Sequence, residues 1–210
     1  MRLNNTIIRY FVLIFSLFYF ANVTHAASFQ NDPIALLQHI ADNMIAGLKA
    51  NKATLKSKPQ VVYRLARQYV VPYADLNAMS QRVLPPATWN SATPAERAQF
   101  KQLFTTTLIR TYASALTSYQ DQTIQFFPIR GNYQGRQSVV VNSEISGSNQ
   151  QSIRVSYRLL NQNGSWRLYD MSVEGVSMLE SFRSQFSDIL SRGNMSELLN
   201  RMQQHTRGRE

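Results

Sequence analysis

From Pro33 to Ala50 the apolar residues fall at Ile34, Leu37, Ile40, Ala41, Met44, Ile45 and Leu48. Steps of three and four residues place them on one face of a helix. Asp32 and Pro33 supply a cap and a first turn. Pro59 opens a second helical pattern with Val62, Leu65, Ala66 and Tyr69 on one side. Asp75 starts a third, through Leu76, Met79 and Val83, which ends before Pro85-Pro86. The longest pattern begins at Thr93. Thr93 and Glu96 have the spacing of a capping box around Pro94. Phe100, Leu103, Phe104, Thr107, Leu108, Thr111, Tyr112, Ala115, Leu116 and Tyr119 then keep a 3.6-residue stripe.

After Tyr119 the period changes to two. Thr123 to Arg130, Ser138 to Ser146, Ser152 to Asn161 and Trp166 to Val173 read as four strands. Turn-forming residues in "RGNYQG", "SGSNQ" and "NQNG" separate them. Val139, Val141 and Ile145 share one face, opposite Asn142 and Glu144. Ile153, Val155, Tyr157 and Leu159 share another, opposite Arg154, Ser156 and Arg158. Such alternation buries one face and wets the other, which favours antiparallel pairing. Helices from about Ser177 to Ser191 and Asn194 to Gln204 complete the chain. Helices first and a meander second predict an α+β domain, with helices on one side of a curved, mainly antiparallel four-stranded sheet.

The first residues change the picture of where this domain begins. Arg2 and Arg9 precede a short apolar run, Tyr10 to Phe20, and small residues follow at Thr24, Ala26 and Ala27. This is the pattern of a secretory signal peptide, expected over residues 1–26, with the domain over 27–210. The 22 Lys+Arg against 12 Asp+Glu give a formal charge of +10, and loss of Arg2 and Arg9 leaves +8. A basic chain suits nucleic acid, an anionic membrane or an acidic partner. Export argues against nucleic acid. The basic residues are scattered, apart from Lys49 to Lys58, which reads equally as a solvated face or a docking patch.

The candidate chemistry is sparse. No cysteine is present, which excludes disulfides, a thiol nucleophile and Cys-ligated metal. Only His39 and His205 follow the signal, which argues against a histidine metal site and a Ser-His triad. "EGVSM" lacks the second glycine of a nucleophile elbow. Asp170 and Glu174 are spaced as an acid–base pair might be, but they flank a turn. Holding backbone N–H groups there is the favoured role. No enzyme, no cofactor and no metal is therefore expected. What remains is apolar and aromatic content on two complementary surfaces, the inner sheet face and the long helix. Periodicity does not distinguish a filled core from a hollow one.

Two blocks carry a resemblance. "YRLLNQNGSWRLYDMSVEGVSMLESFRSQF" holds a tyrosine strand, a Gly-x-Trp-x-x-Tyr-Asp strand, a Val-Glu-Gly-Val-Ser corner and an Arg-x-x-Phe helix. "WNSATPAERAQFKQLFTTTLIRTYASAL" holds Trp89, Phe100, Phe104, Thr111 and Tyr112. Over nearly the whole mature chain these blocks resemble the MlaC, or toluene-tolerance auxiliary, family: the periplasmic phospholipid-binding components of the Mla lipid-transport system. The resemblance implies an architecture like the nuclear-transport-factor-like (NTF2-like) folds, with a hydrophobic slot between sheet and helices. It implies a periplasmic carrier with a glycerophospholipid as cargo, maintaining outer-membrane lipid asymmetry. Its partners would be an outer-membrane lipoprotein–porin complex and an inner-membrane ABC transporter with an MCE-type ring subunit. By alternation and helical stripe, the expected walls are Leu108, Tyr112, Val139, Val141, Val155, Tyr157, Val176 and Leu179. A module for a quinone or sterol-like molecule, a structural interaction protein and a lipid-cleaving enzyme stay open beside this.

Overall fold

Asp32 caps the first helix as its position requires. Its Oδ1 accepts the N–H groups of Ile34 (2.8 Å) and Ala35 (2.9 Å), and Pro33 takes the first turn, where no N–H is needed. The computed structural model describes residues 28–147 and 150–207; the expected signal, 1–26, lies outside the described residues. The helices are α1 (Pro33–Ala50), α2 (Gln60–Tyr69), α3 (Leu76–Val83), α4 (Pro86–Ser91), α5 (Pro94–Leu116), α6 (Met178–Leu190) and α7 (Met195–Arg207). Asp75 caps α3 through Ala78 N–H at 2.8 Å. Thr93 and Glu96 form the capping box at α5. Glu96 N–H donates to Thr93 Oγ1 (3.2 Å) and Thr93 N–H to Glu96 Oε2 (2.8 Å).

The strands are β1 (Thr123–Phe126), β2 (Ser138–Gly147), β3 (Gln150–Gln162), β4 (Ser165–Val173) and β5 (Val176–Ser177). They form one antiparallel sheet in the order β1-β2-β3-β4-β5. Val139 faces Leu159, Val141 faces Tyr157, and Ser143 faces Val155, so the alternating apolar residues lie on one side. Arg158 pairs with Asp170 but Leu159 with Leu168, which leaves Tyr169 as the extra residue of a bulge. The β3–β4 and β4–β5 hairpins use the same device. Asn163 (φ 53°) with Gly164 (φ 89°), and Glu174 (φ 47°) with Gly175 (φ 83°), each place two positive-φ residues in a two-residue loop. That is the type I′ geometry whose twist matches the flanking strands.

Three details differ from the sequence expectation. The sheet has five strands rather than four, because the Val-Glu-Gly-Val-Ser corner pairs back on β4 through Val173–Val176 and Ser172–Ser177. β1 ends at Phe126 rather than Arg130, as Pro128 has no N–H to continue the ladder. Pro85-Pro86 ends α3 but also starts α4, with Pro86 at its first position.

Two cores result. The first lies between α1, α2 and the sheet, and includes Leu36, Leu37, Val62, Leu65, Val141, Leu159 and Trp166. The second gathers α3, α5, α6 and α7 around Phe100, Phe104, Phe182 and Phe186. The Phe104–Phe182 centroids are 5.5 Å apart at 85° and the Phe100–Phe186 centroids 5.7 Å apart at 77°. Edge-to-face pairs of this kind contribute about 0.5–1.5 kcal/mol beyond their burial. α5 serves both cores, with Phe100 and Phe104 in the second and Ala113 in the first.

Candidate functional site

Where the two cores meet, they do not fuse. A cavity of about 180 Å³ remains along the seam. α1 supplies Met44, α2 supplies Val62 and Ala66, and α3 supplies Leu76 and Met79. α5 supplies Leu108, Tyr112, Ala113 and Leu116, and β4 and α6 supply Leu168, Met171 and Met178. Nearly all of this wall is apolar. Burial first, and then the Asp170 carboxylate, push the Tyr112 hydroxyl above the usual phenol range, so the ring stays neutral. Four of the seven methionines, Met44, Met79, Met171 and Met178, stand on this one wall. Methionine is the side chain that most readily reshapes an apolar surface.

Met44 and Leu116 also line a second cavity of about 240 Å³, so these two side chains form the partition between the spaces. Ala41, Ile45 and Leu48 of α1 face Ile124, Ile145 and Ile153 of the sheet across it. Tyr119 lies in its lining with a buried hydroxyl that has no hydrogen-bond partner among the described residues, and burial raises that hydroxyl's pKa. Each cavity falls below the roughly 300–1,000 Å³ of small-molecule sites, while the two together fall within it.

The Val-Glu-Gly-Val-Ser corner is flanked by Met171 and Met178 of the seam lining but does not itself line the cavity. Asp170 is 2% exposed and contributes to the seam lining. Its Oδ2 accepts from Arg158 Nη1 (3.0 Å) and Ser177 Oγ (2.7 Å), and its Oδ1 accepts from Leu179 N–H (3.2 Å). Ser177 Oγ in turn accepts Glu180 N–H at 3.1 Å and caps α6. Glu174 accepts the Arg154 backbone N–H at 2.5 Å and its guanidinium at 3.2 Å. The backbone bond first, and then the guanidinium, hold the Glu174 carboxyl below its ordinary range. Both carboxylates thus bind donors around the turn, and the Ser177 hydroxyl beside Asp170 is engaged by that carboxylate and by the α6 cap.

Of the eight expected wall residues, Leu108 and Tyr112 line the seam cavity. Val139, Val141, Val155 and Tyr157 are buried in the first core and line neither apolar cavity. There Tyr157 receives Ser143 Oγ at 3.2 Å and packs on Phe126, with centroids 5.6 Å apart. Leu179 is buried in the second core, because α6 folds onto Phe100 and Phe104 rather than over the sheet. Val176 is 65% exposed and faces away from the interior, since its strand partner Val173 fixes its side of the hairpin. Sequence reasoning missed Met44, Ala113 and Leu116. The recurrence of methionine on separate apolar stripes was the available signal.

Fold and cavity together define the class: an α+β domain that keeps an apolar space between its layers. The family model of the MlaC protein matches residues 38–204, and the chain belongs to that family. It is 28% identical over 197 residues to the intermembrane phospholipid transport system binding protein MlaC of Haemophilus influenzae, covering 87% of this chain and 86% of the relative. It is 29% identical over 160 residues to the toluene tolerance protein ttg2D of Pseudomonas putida, covering 76% and 74%. A solved structure of the phospholipid-binding protein from Ralstonia solanacearum, in complex with a phospholipid, superposes with a TM-score of 0.76. It is 29% identical, and the match covers 86% of this chain and 97% of that one.

Proposed function

We propose that the protein is a periplasmic phospholipid carrier, with residues 1–26 as its export signal and 27–210 as the carrier domain. The seam cavity supports this reading most directly: a nearly wholly apolar space, in a chain of the MlaC family, walled by adaptable methionines. The energetics set what such a carrier must do. At about 0.8 kcal/mol per methylene, two ordinary acyl chains lose roughly 25 kcal/mol on entering water. Apolar burial offsets that cost without directional contacts, so the cargo can be passed to another apolar site. Two tails need more room than the two cavities now hold, so loading requires the shared wall of Met44 and Leu116 to move. The carrier works between an outer-membrane lipoprotein–porin complex and an inner-membrane ABC transporter with an MCE-type ring, and it is not an enzyme. The Asp170 carboxylate, held at the turn by three donors, is consistent with the last point.

Solvent extraction of the purified protein, followed by mass spectrometry and phosphorus analysis, tests the reading. About one phospholipid per chain is expected, because the two cavities share a wall and form one site. A quinone or sterol-like molecule in its place would shift the assignment to another apolar ligand. A lipid-free protein that refuses phospholipid from vesicles would overturn it.

A further inference from the structure

The seam cavity does not end in the protein. Val71, Ala74, Leu76 and Thr105 line both it and an open vestibule of about 830 Å³ on the surface. The character of the wall changes across those four residues. Inside them it is apolar; outside them stand Arg67 of α2, Lys101 of α5 and Arg167 of β4. Their present hydrogen bonds go to neutral oxygens. Arg67 Nη2 donates to Thr106 Oγ1 at 2.9 Å, Lys101 Nζ to Asn77 Oδ1 at 2.9 Å, and Arg167 Nη1 to the Pro72 carbonyl. Among the described residues, no carboxylate pairs with any of the three. The one carboxylate in the vestibule wall, Asp75, is occupied by Ala78 N–H (2.8 Å) and Gln162 Nε2 (2.5 Å). Three cations from three separate elements therefore share one mouth with a single carboxylate, which itself bonds only to neutral donors, and the mouth keeps an excess of two positive charges.

We propose that this vestibule is a phosphodiester site, in which Arg67, Lys101 and Arg167 hold the anionic head group of a lipid whose tails enter through the Val71–Thr105 neck. The inference rests on the carrier reading and adds the location and chemistry of the head. A mouth of this kind suits both parts of the ligand. Guanidinium and ammonium groups donate to phosphate oxygens with charge assistance, while the volume leaves room for water around a variable alcohol. Recognition then falls on the phosphate common to all glycerophospholipids and not on the group attached to it. Because the site is wet, its contribution weakens with salt, whereas that of the tails does not.

The test compares two lipids with identical acyl chains, phosphatidylglycerol and diacylglycerol, each offered in vesicles of otherwise neutral lipid. Wild-type protein should load phosphatidylglycerol in preference. Arg67→Gln/Lys101→Gln/Arg167→Gln should reduce the ratio of the two loadings by about tenfold or more. Arg67→Lys/Lys101→Arg/Arg167→Lys, which keeps the charge, should largely restore it. Raising the salt should narrow the wild-type preference, a reading that does not depend on any variant folding. Equal loading of both lipids by the wild type, or a preference that survives the triple Gln change, overturns the head-group site but leaves the carrier reading intact. Loading of neither lipid overturns both. Inorganic phosphate, titrated into lipid-free protein, separates the two sources of the anion. No saturable binding below millimolar concentration is expected. Micromolar binding lost in the triple Gln variant would assign the vestibule to the free ion and overturn the lipid assignment.

Discussion

Ala113→Leu tests whether the seam is hollow. Ala113 is 3% exposed, sits on α5 and lines the cavity of about 180 Å³ with only a methyl group. Leucine adds roughly three methylene equivalents at ~0.8 kcal/mol each, about 2 kcal/mol if they fill empty apolar space. The helix-propensity loss is a few tenths of a kcal/mol. The delipidated variant should therefore be more stable than delipidated wild type by about 1–2 kcal/mol. For a domain of this length that raises the melting temperature by about 2–8 °C. Lipid loading should fall in the same variant, because the added side chain takes space that the tails need. Urea unfolding of lipid-free protein measures the first effect and quantified lipid extraction the second. Delipidation matters, since bound lipid stabilises the wild type by mass action and would mask the gain. In a filled core the same change would overpack and cost about 1–3 kcal/mol. A destabilised variant that loads lipid normally would therefore refute the hollow seam.

Two further outcomes follow from the corner and from the capping box. Asp170→Ala removes a buried carboxylate that accepts three hydrogen bonds and leaves Leu179 N–H without its acceptor; since the Arg158 side chain is 41% exposed and can turn to water, the loss should be about 2–4 kcal/mol in chemical unfolding, and a change under about 1 kcal/mol would refute the idea that Asp170 holds the turn to α6. The Thr93 backbone N–H first, and then its hydroxyl, hold the Glu96 carboxyl below its ordinary value of 4.5, so its contribution to stability is present above that value and lost as pH falls through the lower folded value. Glu96→Gln should flatten the acid side of the stability–pH curve, measured as urea midpoints from about pH 6 to about pH 3, and parallel curves for the two proteins would refute it.

The Ala113 and Asp170 experiments probe different kinds of information in the chain. Much that is governed by neighbours in sequence was legible in advance, although the β4–β5 hairpin, the early end of β1 and α4 were not. The caps at Asp32, Asp75 and Thr93 are local hydrogen bonds between residues two or three apart, and each forms as its spacing demands. The alternation in β2 and β3 determined which faces are buried, since a strand's side chains cannot change sides without a bulge. The family was legible for a related reason, because its two blocks combine a corner, a strand and a capped helix at set distances along the chain.

The lining of the cavity was legible only in part. Leu108 and Tyr112 could be placed on the cavity because α5 faces it directly. Val139, Val141, Val155 and Tyr157 obey the same pattern and yet fill a core, because periodicity reports burial and not what lies on the far side. Val176 and Leu179 depended on where α6 would fold. That was decided by the Glu174–Gly175 turn together with the phenylalanines of α5, about 75 residues earlier in the chain. The cavity itself is a property of no single element. It exists because two cores, each satisfied by its own aromatic and aliphatic residues, meet along α5 without filling the seam. Only the tertiary structure fixes how close they come, and a gap of one or two side chains is the difference between a packed domain and one with room for a ligand.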